Sequence, residues 1–402
     1  MATTKSNGGS SPYRFAHPFF TETPVTDRKS ISGVGTRMSD FIKTKLESIP
    51  KVKGKSIMLL KDVIGAKGAA EIDSHKSISF HALGDSGTPN GEMQERISDF
   101  MAKDYHAHSP EKSPAFLLHM GDVDYYDNTA RGYHEQFYEP YKKYPGKIIA
   151  IPGNHDGELF KGNKGVVSTG QKKTLEAFQE NFCRARAGVP EAAGAIYREM
   201  VPQPGVYWML DSNLVNIIGL YSNIAEGPGY LDNGKGDKTQ ITWLSARLKE
   251  VKQKRANGKK SALIISVHHP LYSGGGHEPS REMRDVIDKT CHTVGIMPDA
   301  VMSAHAHSYQ RFTRYLNFNG VDMEIPYTVC GTGGRKPQPV LKADKRINGD
   351  HSFEFSFKGY GHQLVTITDQ ILAMEFLSVT DSERKLMDTV RVDLSTNKIL
   401  NH

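Results

Sequence analysis

The feature that most constrains this chain is a series of short apolar runs, each of which ends in residue types that bind metals. Each run has the length of a strand, and segments with helical periodicity lie among them. Strands that alternate with helices are typical of an α/β fold with buried, largely parallel strands. The runs are Ser77–Leu83, Ala115–Met120, Lys147–Pro152, Ala262–His268 and Ala300–Ala304.

Two later stretches have the pattern of antiparallel hairpins. Val206–Leu220 turns at Asp211-Ser212-Asn213, and His362–Val379 turns at Asp369-Gln370. Together with the parallel runs they predict a mixed α/β (α+β) fold: a four-layer α/β/β/α sandwich in which two mixed β-sheets face each other. The predicted helices are Glu92–Tyr105, Lys172–Arg186, Thr239–Gln253 and Arg281–Thr290.

The composition changes along the chain and indicates three parts. Residues 1–36 are rich in Ser, Thr, Gly and Pro, which predicts a flexible N-terminal arm. Apolar residues at helical spacing from Met38 to Ile49 predict a helical extension over 37–76. The main domain is predicted to span 77–402, with an insertion at about 157–204 that carries its own helix.

The composition also excludes some classes of protein. With 38% hydrophobic and 24% charged residues the chain is neither disordered nor membrane-embedded, and no run reaches the roughly eighteen apolar residues of a spanning helix. A net charge of +6 suits small anionic substrates but is too diffuse to predict specific nucleic-acid binding. The oligomeric state is not predicted.

Three cysteines without a CxxC pair, no apolar signal segment and no Asn-x-Ser/Thr sequon predict a cytoplasmic location. A weak organelle transit peptide is the alternative.

The residues at the ends of the apolar runs carry the chemistry. In open α/β sheets, ligands bind at the carboxyl ends of the strands. Carboxylate, amide, phenol and imidazole groups suit Fe, Zn or Mn, and two such ions can clamp both oxygens of an in-line displacement at phosphorus. The motifs are Gly84-Asp85-Ser86-Gly87, Gly121-Asp122-Val123-Asp124-Tyr125, Gly153-Asn154-His155-Asp156, His268-His269-Pro270 and His305-Ala306-His307.

This ordered series resembles the calcineurin-like metallophosphoesterases, and within them the purple acid phosphatase branch, from about residue 77 to 379. The superfamily commonly has a histidine ligand two residues after the first aspartate, where this chain has Gly87. The purple acid phosphatases replace that ligand with the tyrosine of Gly-Asp-x-x-Tyr, which is Tyr125 here. The resemblance implies that residues 77–402 form a metallophosphoesterase catalytic domain.

The resemblance implies two metal ions per chain. Asp85, Tyr125 and His307 would hold the first, Asp122 would bridge, and Asn154, His268 and His305 would hold the second. A tyrosinate ligand favours Fe(III) at the first position, with divalent Fe, Zn or Mn at the second.

The same resemblance implies three catalytic residues. His155, oriented by Asp156, would contact the phosphate. His277, nine residues after His268, would be a substrate contact or general acid, and the alternative is an ordinary histidine in a glycine-rich loop.

The implied activity is hydrolysis of a small phosphomonoester by in-line attack of a metal-bound hydroxide. A phosphodiesterase acting on cyclic nucleotides, nucleic acid or lipid headgroups is the nearest alternative, and a non-catalytic scaffold with the same fold is another.

Two departures from the family pattern, Ser86 and Ala304, lie beside predicted ligands. Asp124 and Asp127 are either turn residues or tune the first metal.

Overall fold

Two β-sheets form the framework of the chain. The computed structural model describes residues 46–88, 91–106, 109–159, 170–258 and 261–400. Its strands are β1 (Ile57–Leu59), β2 (Ser77–Leu83), β3 (Phe116–His119), β4 (Lys147–Ala150), β5 (Trp208–Asp211), β6 (Val215–Leu220), β7 (Ala262–Val267), β8 (Ala300–Ser303), β9 (Tyr309–Phe318), β10 (Val321–Cys330), β11 (Ile347–Asn348), β12 (His351–Phe357), β13 (Tyr360–Thr368), β14 (Ile371–Val379), β15 (Arg384–Asp393) and β16 (Lys398–Ile399).

Both sheets combine parallel and antiparallel pairs. One sheet has the order β1-β5-β6-β7-β8-β10-β9-β12-β11, and the other has the order β16-β15-β14-β13-β2-β3-β4. Strands β2, β3 and β4 are parallel, as are β6, β7, β8 and β10. The predicted hairpins are the antiparallel pairs β5–β6 and β13–β14. The predicted α/β fold with two mixed sheets is therefore confirmed.

The four predicted helices are present, but two are shorter than expected: α2 ends at Ala102 instead of Tyr105, and α5 is reduced at both ends. Helix α5 does not extend over Lys172–Arg186, because Leu175 has a left-handed φ of 60° and the Glu176 carboxylate accepts the backbone N–H of Lys172 at 2.8 Å. The helices are α1 (Leu60–His75, interrupted at Gly65), α2 (Glu92–Ala102), α3 (Ala130–Tyr133), α4 (Asn154–Gly157), α5 (Glu176–Phe182), α6 (Thr239–Ala256) and α7 (Arg281–Val294).

The central strands are apolar throughout because both of their faces are buried. In β6, Ile217 belongs to the core between the two sheets, whereas Ile218 belongs to a second core on the opposite face. Ile264 and Ile265 of β7 divide in the same way. The second core is completed by α6 and α7, which supply Leu244, Leu248, Val251, Met283, Ile287 and Cys291. A strand covered on both faces has no polar alternation, which is why these runs were continuous in the sequence.

The N-terminal part of the chain joins the larger sheet. Strand β1 pairs with β5 in parallel, so part of the predicted extension 37–76 is an edge strand followed by α1. Residues 37–45 of the predicted amphipathic helix lie outside the described residues. Its end at 46–49 is not helical, because both backbone groups of Glu47 bond the Asn223 side chain, at 3.2 and 3.0 Å.

We expect the contact between the sheets to contribute strongly to stability. The ring of Tyr309 in β9 stacks on that of Phe376 in β14 at 3.9 Å between centroids. Phe376→Ala should lower the free energy of unfolding by about 3–5 kcal/mol, because it leaves a cavity between the sheets. Leu386→Ala is the control, since Leu386 is 50% exposed, and it should change that free energy by less than about 0.5 kcal/mol. Urea unfolding followed by fluorescence measures both, and equal effects would contradict the prediction.

Candidate metal centre

The candidate centre lies where the carboxyl ends of strands from both sheets meet. Asp85 and Asp122 follow β2 and β3 in one sheet, and His305 follows β8 in the other. A hydrogen bond of 2.6 Å from the backbone N–H of His305 to Asp85 Oδ2 joins the two sheets at this point. Within the first sheet, the backbone N–H of Asp85 donates to the carbonyl of Gly121 at 3.0 Å. The loops that carry the predicted ligands are therefore bonded directly to one another.

Three of the predicted ligands have a backbone conformation that L-residues seldom adopt. The φ angles are 56° at Asp85, 56° at Asp122 and 68° at His305. Each costs of the order of 1–3 kcal/mol, and such residues concentrate at functional sites, where surrounding contacts hold them.

Two glycines allow the loops to approach this closely. Gly121 has a φ of 97°, and a Cβ on it would lie 2.4 Å from the backbone nitrogen of Gly153. A Cβ on Gly153 would lie 2.1 Å from Oδ1 of Asp122. Neither position has room for a side chain, so both glycines are required by the packing of the site.

Asp85, Tyr125 and His307 form a first group of donor atoms. The Tyr125 hydroxyl donates to Asp85 Oδ1 at 3.0 Å and lies 3.1 Å from Nε2 of His307. His307 Nε2 is 3.6 Å from the same carboxylate oxygen. Because Nδ1 of His307 donates to the carbonyl of Lys336 at 3.2 Å, Nε2 is the nitrogen directed at the group.

Asn154, His268 and His305 form a second group around Asp122. Nε2 of His268 lies 3.1 Å from Oδ1 of Asn154, 3.2 Å from Nδ1 of His305 and 3.3 Å from Oδ2 of Asp122. Asp122, His268 and His305 each offer a ligand atom within 4.8 Å of the other two, and all three residues are buried.

Backbone carbonyls orient the two imidazoles of this second group. Nδ1 of His268 donates to the carbonyl of Met120 at 2.8 Å, and Nε2 of His305 donates to the carbonyl of Glu226 at 3.2 Å. The other nitrogen of each ring then faces the group. This is the usual arrangement around metal-binding histidines, whose second nitrogen is anchored by a neighbouring acceptor.

The residues present fit a pair of metal ions. Oδ2 of Asp122 is buried, and among the described residues it faces only Nε2 of His268 at 3.3 Å and Nε2 of His155 at 3.9 Å, without a hydrogen bond of normal geometry. Asp122 Oδ1, by contrast, accepts the backbone N–H of His155 at 3.0 Å. A cation would satisfy the remaining oxygen, and the donor set is composed of oxygen and nitrogen ligands that suit Fe, Zn or Mn.

The electrostatics of the centre also call for positive charge. Burial raises the pKa of Asp85 to about 7, and burial together with Asp122 and Asp85 raises the pKa of Tyr125 well above its ordinary value. Burial acts to lower the pKa of His268, but the Asp122 carboxylate outweighs it and raises that pKa to about 9. Without a cation, therefore, the phenol keeps its proton and His268 carries one.

His155 lies beside the centre, but its carboxylate partner is not the predicted one. Nδ1 of His155 is 2.9 Å from Oε1 of Glu158, and its Nε2 is 3.9 Å from Oδ2 of Asp122. The ring packs against that of Tyr125, with 4.4 Å between centroids. Glu158, three residues after His155, was missed because a lone acidic residue at that spacing has many ordinary explanations.

The prediction that Asp156 orients His155 is wrong. The Asp156 carboxylate instead accepts backbone N–H groups of the two loops that follow β3 and β4. It cannot also face the imidazole, since both of its oxygens are used in this way, and its role is to hold the loops together. The donors are Asp122 at 2.9 Å, Val123 at 3.0 Å, Asp124 at 3.2 Å and Gly153 at 2.8 Å.

The remaining predicted residues separate into pocket residues and turn residues. The ring of His277 lies 3.9 Å from that of His305, and its Nε2 is 3.2 Å from Nε2 of Gln338. Burial, followed by the neighbouring His268, lowers the pKa of His277 to about 4. Asp124 Oδ1 accepts the backbone N–H of Asp127 and of Asn128, as a turn residue does.

The pocket over the centre includes residues that sequence reasoning missed. Arg335 lies with its Cζ 4.5 Å from the centroid of the Tyr125 ring and donates to the Tyr126 hydroxyl at 2.9 Å. Glu226 follows β6 and accepts from Nδ2 of Asn154 at 3.1 Å. Arg335 directly follows the glycine-rich turn at 331–334, which was the available signal, whereas Glu226 had none. The lining comprises Asp122, Tyr126, His155, Glu226, His277, His305, His307, Arg335, Lys336 and Gln338.

Comparison with known proteins identifies the family. The family model described as calcineurin-like phosphoesterase matches residues 78–309, which is more than half of the chain. This chain belongs to the calcineurin-like phosphoesterases. The resemblance found in the motifs is thereby confirmed, and it carries hydrolase activity and a dimetal centre as properties of the family.

Individual relatives of this phosphoesterase are distant. Purple acid phosphatase 21 of Arabidopsis thaliana is 26% identical over 132 residues, which is 32% of this chain and 28% of that protein. The chain therefore matches less than a third of the length of this curated relative.

Three solved structures are also similar to this phosphoesterase. GAP50, the anchor in the inner membrane complex of Plasmodium, is 13% identical with a TM-score of 0.49, over 79% of this chain and 89% of that one. PhoD is 13% identical with a TM-score of 0.48, over 81% and 72% of the respective chains. A dimetal phosphatase from Danio rerio is 9% identical with a TM-score of 0.43, over 79% and 99%. Among the described residues of this phosphoesterase, no helix combines the length and apolarity needed to cross a membrane.

The tight packing at Gly153 can be tested directly. Gly153→Ala should displace the Asp122 carboxylate, since the new Cβ would lie 2.1 Å from its Oδ1, and should weaken metal retention at least about tenfold. Gly68→Ala is the matched control, because its Cβ would meet only Ile64 atoms at 3.4 Å or more. Metal content after dialysis against a weak chelator measures the difference. Equal retention by both variants would contradict the assignment.

Proposed function

We propose that this chain is a binuclear-metal phosphatase that hydrolyses small phosphomonoesters. The observation that carries the proposal is the convergence of the seven predicted ligands into two bonded groups, with Oδ2 of Asp122 directed at Nε2 of His268 in the second. When bound, the two ions would supply a nucleophilic water and neutralise charge on the phosphoryl oxygens. A non-catalytic scaffold would have no need to keep a complete ligand set.

The pocket is suited to a phosphate dianion. Arg335 and Lys336 line it on one side, and His155 and His277 contribute imidazoles. The guanidinium of Arg335 is held over the Tyr125 ring and by the Tyr126 hydroxyl, so it is ordered before substrate arrives. A pre-positioned guanidinium binds phosphate oxygens at a low entropic cost.

We assign different tasks to the two histidines of the pocket. His155 would donate a hydrogen bond to a phosphoryl oxygen, with Glu158 2.9 Å from its Nδ1 to fix the ring. His277 lines the pocket against the ring of His305, where its neutral imidazole would contact the substrate by a hydrogen bond. A phosphomonoester has three non-ester oxygens, so two remain for Arg335 and Lys336 after one is bound by His155. A diester has only two such oxygens, which is why we propose a monoester as the substrate.

Hydrolysis of an aryl monoester and a matched diester tests the proposal. The wild-type protein should hydrolyse p-nitrophenyl phosphate with a kcat/KM at least about tenfold higher than bis-p-nitrophenyl phosphate, because only the monoester presents a dianion to Arg335 and Lys336. His155→Ala should lower kcat for the monoester by about 10²–10³-fold, because it removes a hydrogen-bond donor to a phosphoryl oxygen.

His106→Ala is the control for this series, since His106 is exposed, and its activity should equal the wild type. Faster hydrolysis of the diester would replace the phosphatase with a phosphodiesterase. No turnover by metal-loaded protein would favour a scaffold.

We further propose Fe(III) at the position of Asp85, Tyr125 and His307, with divalent Fe, Zn or Mn at the other. The support is the Tyr125 hydroxyl, which lies 3.0 Å from Asp85 Oδ1 and 3.1 Å from His307 Nε2. Burial and the carboxylates of Asp122 and Asp85 raise the pKa of this hydroxyl well above its ordinary value. A highly charged cation is therefore needed to ionise it.

The visible spectrum tests this assignment. Protein with iron should show a broad charge-transfer band, and Tyr125→Phe should remove that band because it removes the phenol oxygen. Tyr105→Phe provides the control, since its hydroxyl bonds Tyr144 away from the centre, and it should leave the band unchanged. An active protein that contains Mn or Zn and shows no band would overturn the iron assignment while keeping the phosphatase.

A further inference from the structure

A second cluster of ligand types adjoins the centre and belongs to neither proposed metal position. His155, Glu158 and Glu226 each offer a ligand atom within 4.8 Å of the other two. His155 Nε2 lies 3.9 Å from Oε2 of Glu226 and 3.9 Å from Oδ2 of Asp122, so this cluster borders the binuclear centre. Glu158 and Glu226 are 68 positions apart in the sequence, and the fold brings them together at the pocket.

Glu158 shows that the cluster is not satisfied by protein groups alone. Its side chain is 7% exposed, and its Oε2 has no hydrogen-bond partner in the described part of the chain. The other oxygen, Oε1, lies 2.9 Å from Nδ1 of His155. A buried carboxylate oxygen that lacks a donor destabilises the folded chain unless a ligand satisfies it.

The charges around Glu158 favour a cation and not an anion at this position. Glu226 and Asp122 each have a carboxylate oxygen 3.9 Å from Nε2 of His155, and a Glu158 oxygen lies 2.9 Å from Nδ1 of the same ring. Three carboxylates therefore surround this one imidazole. The guanidinium of Arg335 is directed at the rings of Tyr125 and Tyr126 and lines the pocket with Glu226. Carboxylates held this close repel each other unless positive charge lies between them.

We propose that His155, Glu158 and Glu226 bind a third divalent cation at the edge of the substrate pocket. One imidazole and two carboxylates suit Zn or Mn better than Ca or Mg, which prefer oxygen ligands alone. Three protein ligands leave coordination positions open towards the pocket, where a substrate oxygen could bind. An imidazole has two ring nitrogens, so a cation on one leaves the other for the phosphate contact.

Metal stoichiometry tests the third site independently of activity. Wild-type protein equilibrated with Mn(II) or Zn(II), freed of excess ion and analysed by inductively coupled plasma mass spectrometry, should retain three equivalents per chain. Glu158→Gln should retain two, because it removes one charged ligand and leaves the seven residues of the binuclear pair unchanged. Glu180→Gln, an exposed position on helix α5, is the matched control and should retain three.

A second variant protects the test against misfolding. Glu226→Gln should also retain two equivalents, and circular dichroism with thermal melting identifies any variant that does not fold. Three equivalents in both folded variants, or two in the wild type, would overturn the third site. If wild type holds two and Glu226→Gln raises KM for phosphoethanolamine but not for p-nitrophenyl phosphate, the cluster binds a substrate ammonium group and the metal assignment is wrong.

The outcome is separable from the proposed function. Wild type that holds two equivalents and hydrolyses p-nitrophenyl phosphate overturns the third site alone. Wild type that holds no metal and shows no turnover overturns both proposals.

Discussion

The meeting of two sheets around buried negative charge is the constraint on which the rest of the structure depends. The Asp85 carboxylate at the end of β2 accepts the backbone N–H of His305 from the opposite sheet, and the Asp156 carboxylate gathers the loops after β3 and β4. These bonds hold polar loops at the edge of a core that is otherwise apolar. The same carboxylates require compensating cations, so the demands of folding and of metal binding coincide at this edge.

Much of this arrangement was predictable because it is local in the sequence. A strand buried on both faces is a continuous apolar run, and the residue after it stands at the sheet edge, so Asp85, Asp122, Asn154, His268 and His305 followed from strand ends alone. Their grouping around metals came from the family resemblance. The structure brings all of them within one bonded network.

What could not be predicted depends on how loops from distant parts of the chain pack. Glu226 lies in an unremarkable loop after β6 and reaches the site only because β6 is two strands from β8 in the same sheet. Asp156 and Glu158 were both within reach of His155 by spacing. Which of them faces the imidazole is decided by the short helix α4, whose first turn directs the Asp156 carboxylate back to the backbone of the preceding loop.

The position of Arg335 over the face of the Tyr125 ring has a consequence for how the site can change. A guanidinium above a phenol ring withdraws electron density from it, so the donor strength of the Tyr125 oxygen depends on where Arg335 stands. Arg335 also lines the pocket. A substitution of Arg335 that adapts the pocket to a different substrate therefore also alters the strength of the bond between Tyr125 and a metal ion. Substrate preference and metal affinity cannot be adjusted independently at this residue.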